Sequence, residues 1–442
     1  MTFWPNISMD KQSDGFSGLL HQIDDVQIKI HMDVEIAIQA NSAISTDEIR
    51  TFFEGIANEQ PNIFLNVGNV GSMTKHKIIQ SVHLPSNEYE ESIEQINIYG
   101  DTPPIKIHCY ILNHDESHDD IIDNDGEILS IAQQTILPSE KFQNDFDSVI
   151  FEGEESNIKS MLLNFMETSV QFANHDVCPD TVTSNRIILL YGPPGTGKTT
   201  ICHGLAQKLS IRFSHIYQYG TILEINTHSL FSKWFAESGK MVKKLFDRIN
   251  SIASDHNVLV IVLIDEVESL ATARESSMNG SDPSDAIRVV NALLTQIDQL
   301  RKKTNVIMLA TSNLTECIDI AFLSRADIKQ YIGPPSKIAR YIILKSCVDE
   351  LYNKGIVESN FGLLDYDKLS IFQQEVLQTS FQNTYLLLKS AEKCEGLSGR
   401  ILRRLPFLAF VYKAMQIPAK YLDFIDALDF AISQQFEKKN SE

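Results

Sequence analysis

The sequence predicts an α/β protein: a parallel sheet with flanking helices and a small helical lid, preceded by a small α+β N-terminal domain. Three observations carry this expectation. Between residues 186 and 332, continuous apolar runs alternate with stretches long enough for crossover helices, as strands buried on both faces of a parallel sheet require. The front of the chain instead alternates apolar and polar residues with a period of two. Beyond residue 335 the periodicity is helical.

In chain order, Val26, Ile28, Ile30, Met32, Val34, Ile36 and Ile38 alternate with Gln27, Lys29, His31, Asp33 and Glu35, which predicts a long half-buried strand. Ser45-Thr46-Asp47-Glu48 supplies N-cap chemistry for a helix to about Gly55. Ile105, Ile107, Cys109 and Ile111 mark a further strand, closing a domain over residues 1–112. His114 to Glu127 has little apolar content, so 113–140 reads as an acidic linker. Arg186–Tyr191, Leu223–Asn226, Val258–Asp265, Val306–Ala310 and Lys329–Ile332 are the strands of a large α/β part over 141–335. From 336 to 442 no strand is expected. Ser336–Glu350, Asn383–Cys394, Ser398–Met415 and Ala419–Phe436 read as helices, the last with Leu422, Ile425, Leu428 and Ile432 on one face.

The net charge is -20, and its distribution is uneven: residues 1–145 hold 7 basic and 24 acidic side chains, leaving the remainder near neutral. Such a balance disfavours general attraction to a phosphate backbone, and therefore nucleic acid as a partner. The longest apolar run, Val258 to Ile264, is far below the ~18 residues of a membrane span, and the first twenty residues show no signal-peptide pattern. Six widely spaced cysteines suit reduced thiols in a cytosolic or nuclear compartment.

Gly192-Pro193-Pro194-Gly195-Thr196-Gly197-Lys198-Thr199, followed by Thr200, fits a phosphate-binding loop and lies where one must, after an apolar strand and before a helix. Its backbone N–H groups would converge on phosphate oxygens, Lys198 would reach the β- and γ-phosphates of ATP, and Thr199 would ligate Mg²⁺. Asp265 and Glu266 follow the apolar run Val258–Ile264 at the C-terminal end of a buried strand, where α/β sheets place ligands. Asp265 suits the Mg²⁺ shell and Glu266 the attacking water. Asn313, after the strand Val306–Thr311, is suited to the γ-phosphate, although Ser312-Asn313 is also ordinary turn chemistry. Arg325 and Arg400 suit a transferring phosphoryl group, although an arginine in such a setting is more often a surface ion pair. Trp234 and Phe235 sit in a polar stretch, where one ring would anchor the next helix or both would line a binding surface; successive side chains in an extended segment face opposite ways.

These motifs, with Val290–Asp298, Ala310–Leu314 and the helical tail opening Gly396-Leu397-Ser398-Gly399-Arg400, resemble the AAA+ ATPases over about residues 140–442. More narrowly, Ser229–Lys240, Ser324–Pro335 and Gly396–Pro406 resemble the pachytene checkpoint protein 2 family, also called thyroid receptor-interacting protein 13. The resemblance implies an ATP-driven remodeller of HORMA-domain proteins. It implies a hexameric ring working with a HORMA adaptor in spindle-checkpoint and meiotic chromosome-axis control, in the nucleus and cytoplasm. Asn313 becomes the γ-phosphate sensor, Arg400 a second sensor from the lid, and Arg325 the finger reaching a neighbour's nucleotide. A single arginine follows Asp319-Ile320-Ala321, where many AAA proteins have two. Trp234 and Phe235 become pore-loop aromatics with Gly239 as their pivot, and Glu275–Asp285 either a second channel loop or an inert surface loop. The competing functions are a nucleotide-switched scaffold and a DNA-acting motor, the latter supported only by Lys233, Lys240, Lys243 and Lys244 near the pore segment.

Overall fold

The computed structural model describes residues 32–38, 46–59, 79–83, 105–114, 118–124, 127–151, 156–175, 177, 181–227, 238–269, 283–313, 318–358, 363–366 and 379–441. The chain divides into two units, one of residues 1–36 and 42–109, the other of 37–41 and 110–442.

In the N-terminal part of the chain, strand β1 (Met32–Ile38) lies between β2 (Ile79–His83) and β3 (Ile105–Ile111), with helix α1 (Thr46–Glu59) following β1. Residues 26–31 of the expected strand lie outside the described residues. Val34 and Ile36 are fully buried, as the alternation requires, but so is Glu35 at 3% exposure, so both faces of β1 are covered. Next to it, Asp33 Oδ1 lies 2.8 Å from Nε2 of the buried His108, giving each polar group a partner.

The second unit is built on a seven-stranded sheet in the order β10 (Ile328–Tyr331), β6 (Ile187–Tyr191), β9 (Val306–Ser312), β8 (Val258–Asp265), β7 (Tyr219–Asn226), β5 (Glu127–Leu137) and β4 (His118–Asn124). The stretch expected to be a linker is its antiparallel end: β4 (His118–Asn124) pairs with β5 (Glu127–Leu137), and β5 pairs with β7 (Tyr219–Asn226). Apolar residues at Leu129, Ile131, Ile136 and Leu137 give β5 enough strand character to dock, which the acidic composition around it conceals. The front-loaded charge divides accordingly: the N-terminal unit holds 6 basic and 15 acidic residues, and residues 110–145 hold 1 and 9.

The other five strands are parallel: β6 (Ile187–Tyr191), β7, β8 (Val258–Asp265), β9 (Val306–Ser312) and β10 (Ile328–Tyr331). Helices α2 (Ile158–Asn174) and α3 (Lys198–Arg212) cover one face; α4 (Ser238–Ile252) and α5 (Pro283–Leu300) cover the other. Strand β8 explains the longest apolar run. Leu259, Ile261 and Leu263 pack towards α2 and α3, while Val260, Val262 and Ile264 pack towards α4 and α5. Each such side chain contributes about 1.5–3 kcal/mol on burial. On α4, Met241, Val242, Leu245, Phe246 and Ile249 form the matching buried stripe.

The lid contains α6 (Lys337–Asn353), α7 (Thr379–Lys393), α8 (Gly399–Lys413) and α9 (Tyr421–Ser441) around one core. Ser336 caps α6, its hydroxyl accepting from Ala339 N at 3.2 Å. Contrary to expectation the lid also contains two short parallel strands, β11 (Val357–Glu358) and β12 (Ala419–Lys420), each too short to show a period. Leu422 leaves the expected face of α9 and is 59% exposed; Tyr421 and Phe424 fill the core beside Ile425 instead. Among the described residues no helix is long and apolar enough to cross a membrane.

Candidate functional site

Strand β6 delivers the chain into the Gly192–Gly197 turn, and α3 starts at Lys198 with Gly197 at its N-cap. Gly192 and Gly195 have φ of 144° and 77°, in the region that favours glycine. A Cβ on Gly192 would lie 2.2 Å from the Ile332 carbonyl oxygen; one on Gly195 would lie 2.9 Å from Ser398 Oγ. The loop is thus held between the end of β10 and the start of the lid helix α8, whose Arg400 N–H donates to Gly195 O at 3.1 Å.

Lys198 is 5% exposed and spans the loop, donating to the carbonyls of Gly192 at 2.9 Å and Pro193 at 2.8 Å. An ammonium has three donors, so one remains beyond these two bonds for a phosphate oxygen. Burial lowers the Lys198 pKa, and the carboxylates of Glu268 and Asp265 act against it. The loop N–H groups, the helix N-terminus and this cation form a cradle that fits the phosphates of a nucleotide.

Two threonines from different elements meet the same carboxylate oxygen: Thr199 Oγ1 donates to Asp265 Oδ1 at 3.1 Å, and the Thr311 hydroxyl donates to it as well. An oxygen-rich pair such as Thr199 and Asp265 is the donor set Mg²⁺ prefers beside a phosphate. Glu266 has φ of 57°, uncommon for a residue with a Cβ. Its strained turn is held from both sides: Glu266 N donates to Thr311 Oγ1 at 3.3 Å, and the Thr227 hydroxyl lies 2.8 Å and 2.9 Å from the carbonyl oxygens of Asp265 and Glu266. Asn313 Nδ2 lies 3.4 Å from Glu266 Oε1, and Asn313 N donates to Glu268 Oε1 at 3.1 Å.

A cavity of about 310 Å³ lies at this junction. It gathers Pro194 through Thr200, Asp265, Glu266, Asn313 and Arg400 from the residues singled out in the sequence. Gly192 and Pro193 support it from behind through their carbonyls. Its remaining wall was not legible: Ser148 to Phe151, Gly333, Pro335, Ile343 and Arg403 come from four separate segments. The apolar Val149-Ile150-Phe151 stretch had no motif to mark it, and only packing reveals it, with Val149 3.0 Å from where a Gly197 Cβ would be. Arg403 Nη2 donates to Ser148 O at 3.0 Å, joining this wall to the lid. Thr227 and Thr311 were likewise missed, although Thr311 stands beside Ser312-Asn313.

Arg325 is not in the cavity wall. Its Nε and Nη2 donate to the two oxygens of Asp298, both at 2.8 Å, and its Nη1 donates to Ala321 O at 2.6 Å. Trp234 and Phe235 lie outside the described residues, and Gly239 is the second residue of α4. Of the Glu275–Asp285 segment, Pro283 to Asp285 belong to helix α5, Pro283 suiting a first helical turn, and the remainder lies outside the described residues.

The sequence of residues 188–334 matches the ATPase family associated with various cellular activities (AAA), and residues 336–436 match a TRIP13-like AAA+ ATPase lid C-terminal domain. The chain is 45% identical over 366 residues to the pachytene checkpoint protein 2 homolog of Mus musculus, spanning 82% of each chain. It is 50% identical over 294 residues to that of Arabidopsis thaliana, spanning 64% of this chain and 62% of the other. The solved structure of C. elegans PCH-2 superposes with a TM-score of 0.73 at 31% identity, over 92% of this chain and 99% of that one. With a phosphate cradle, an adjoining carboxylate pair and a lid that touches the loop, the chain is an ATPase and belongs to the pachytene checkpoint protein 2 family of AAA ATPases.

Proposed function

We propose that the protein is an ATP-driven remodeller that works as a hexameric ring and converts HORMA-domain proteins from a closed to an open state. The observation that carries this reading is the division of cationic groups. Lys198 and Arg400 line one cavity with Asp265, Glu266 and Asn313, while Arg325 stands outside it. Arg403 is a further cation of this cavity wall, and Arg325, standing apart from all of them, supports the reading as a group offered to the nucleotide of a second copy of the chain.

In this mechanism Lys198 and the loop N–H groups hold the phosphates, and Thr199 with Asp265 holds Mg²⁺. Glu266 orients and deprotonates the attacking water, while Asn313 and Arg400 register the γ-phosphate. Loss of that phosphate removes contacts from the large α/β part and the lid together, and the two rotate. The segment bearing Trp234 and Phe235, pivoting at Gly239, then pulls an extended stretch of substrate along the ring axis. The same reading takes a HORMA adaptor as helper, roles in spindle-checkpoint and meiotic chromosome-axis control, and a location on chromosomes and kinetochores as well as in the cytoplasm.

The test is conversion of a closed HORMA protein to its open form by purified protein with ATP and adaptor, compared with Glu266→Gln. The expected outcome is conversion by the wild type alone, with Glu266→Gln retaining ATP. Conversion at equal rates by both would defeat the mechanism. Phosphate release at background level by the wild type, with HORMA binding intact, would favour a nucleotide-switched scaffold.

A further inference from the structure

We propose that Asp298 is a positioning residue for Arg325, holding its guanidinium side-on so that the Nη1/Nη2 edge is kept for a phosphate bound by a second copy of this chain. The proposal rests on the reading of Arg325 as a finger acting between subunits.

A guanidinium has five N–H groups in a fixed plane. Asp298 takes Nε–H and one Nη2–H through separate oxygens, both at 2.8 Å, the bidentate geometry that fixes the plane as well as the position. Ala321 O takes one Nη1–H. One N–H on each Nη is not used by these contacts, and the Nη2 one belongs to the end-on edge that pairs with phosphate in a fork. The backbone beneath is fixed too. Asp319 caps the turn before Arg325, its Oδ1 accepting from Ala321 N at 2.8 Å and Phe322 N at 3.2 Å. Asn185 Nδ2 donates to Arg325 O at 2.9 Å. The hydrogen-bonded pair also holds the Asp298 carboxyl below its usual range and raises Arg325, so both stay charged.

Folding gives little reason for this arrangement. The side chains are 27% and 50% exposed, so water screens the pair and even its bidentate geometry adds only modestly to stability. A guanidinium held by three hydrogen bonds to two partners has instead lost the freedom that would otherwise have to be lost when it meets the phosphate. Asp298 closes the Val290–Asp298 segment, which belongs to a different element from the finger, so no local motif links the two residues.

The experiment compares steady-state phosphate release by wild type, Asp298→Asn, Asp298→Glu, Arg325→Ala and the Asp298→Asn/Arg325→Ala double variant, at one protein concentration. Loss of orientation should lower kcat of Asp298→Asn on the order of ten- to a hundredfold. KM for ATP should stay near wild type, because the nucleotide sits in the other subunit's cavity, and the thermal midpoint should not move. Asp298→Glu should recover part of kcat, and Asp298→Asn should add nothing in the Arg325→Ala background. If Arg325→Ala is inactive while Asp298→Asn has wild-type or raised kcat, or if the two losses multiply, the proposal is overturned and the finger reading stands. Wild-type kcat in Arg325→Ala overturns both.

Discussion

The Arg400 N–H donates directly to the Gly195 carbonyl at 3.1 Å, so the lid and the phosphate loop are joined backbone to backbone. No side chain has to relay a change of loop geometry to α8. Arg400 also lines the cavity, so the residue proposed to sense the nucleotide is the one that holds the loop.

Gly195→Ala tests this junction. The new methyl would sit 2.9 Å from Ser398 Oγ and 3.1 Å from Arg400 Cβ, at a φ of 77° that costs about 1–2 kcal/mol for a residue with a Cβ. Nucleotide affinity should fall about tenfold or more, measured by titration with a fluorescent ATP analogue. Wild-type affinity would mean that the lid can withdraw without loss.

Lys198→Ala removes a cation that is buried before any nucleotide arrives. Charge-assisted hydrogen bonds contribute roughly 1.5–3 kcal/mol, so ATP binding should weaken on the order of a hundredfold. The same titration reads it; a change confined to kcat would remove Lys198 from ground-state binding.

Thr311→Val keeps the shape of the side chain and deletes the hydroxyl that serves both Asp265 and Glu266 N. The strained Glu266 backbone then loses one of its two holds. The expected result is a kcat reduced about tenfold, from roughly 1–3 kcal/mol of lost support, with ATP affinity largely retained. Phosphate release at the wild-type rate would show that Thr227 alone fixes the turn.

His203 on α3 predicts a pH dependence. Its Nδ1 is 3.5 Å from Asp145 Oδ2, its Nε2 is 3.1 Å from Glu224 Oε2, and its ring stacks on Phe142. Burial alone would lower its pKa, but the two carboxylates outweigh it and hold the imidazolium up to about 9. A folded-state pKa above the unfolded value means stabilisation fully present below about pH 6.5 and lost as pH rises through 9. The amount is on the order of 3 kcal/mol. Urea unfolding between pH 6.5 and 9.5 should show this decline in the wild type and a flatter profile in His203→Gln. Parallel profiles would assign the decline to other groups.

The phosphate loop, the β8 carboxylates and the five parallel strands were legible because each depends on a short local pattern. A loop with three glycines needs little else to declare itself, and a strand buried on both faces is apolar throughout. The cavity wall at Ser148 to Phe151 was not legible, since its place comes from Val149 packing at Gly197 and Arg403 bonding Ser148, both far away in sequence. Thr227 and Thr311 were hidden for a related reason: a threonine in or after a strand carries no mark of the carboxylate it will serve. The β4–β5 hairpin was misread because composition dominated a stretch whose few apolar residues were enough to pair with β7.

That hairpin determines how the sheet ends. A parallel sheet ending at β7 would present a row of unpaired backbone groups to any passing chain, a template for uncontrolled strand addition. Strand β5 occupies that row, and the new terminus, β4, carries Asp119, Asp120 and Asp123 within seven residues. Two such edges approaching each other would set aspartates against aspartates. At this margin the sheet is built to refuse edge-to-edge pairing with another copy of itself.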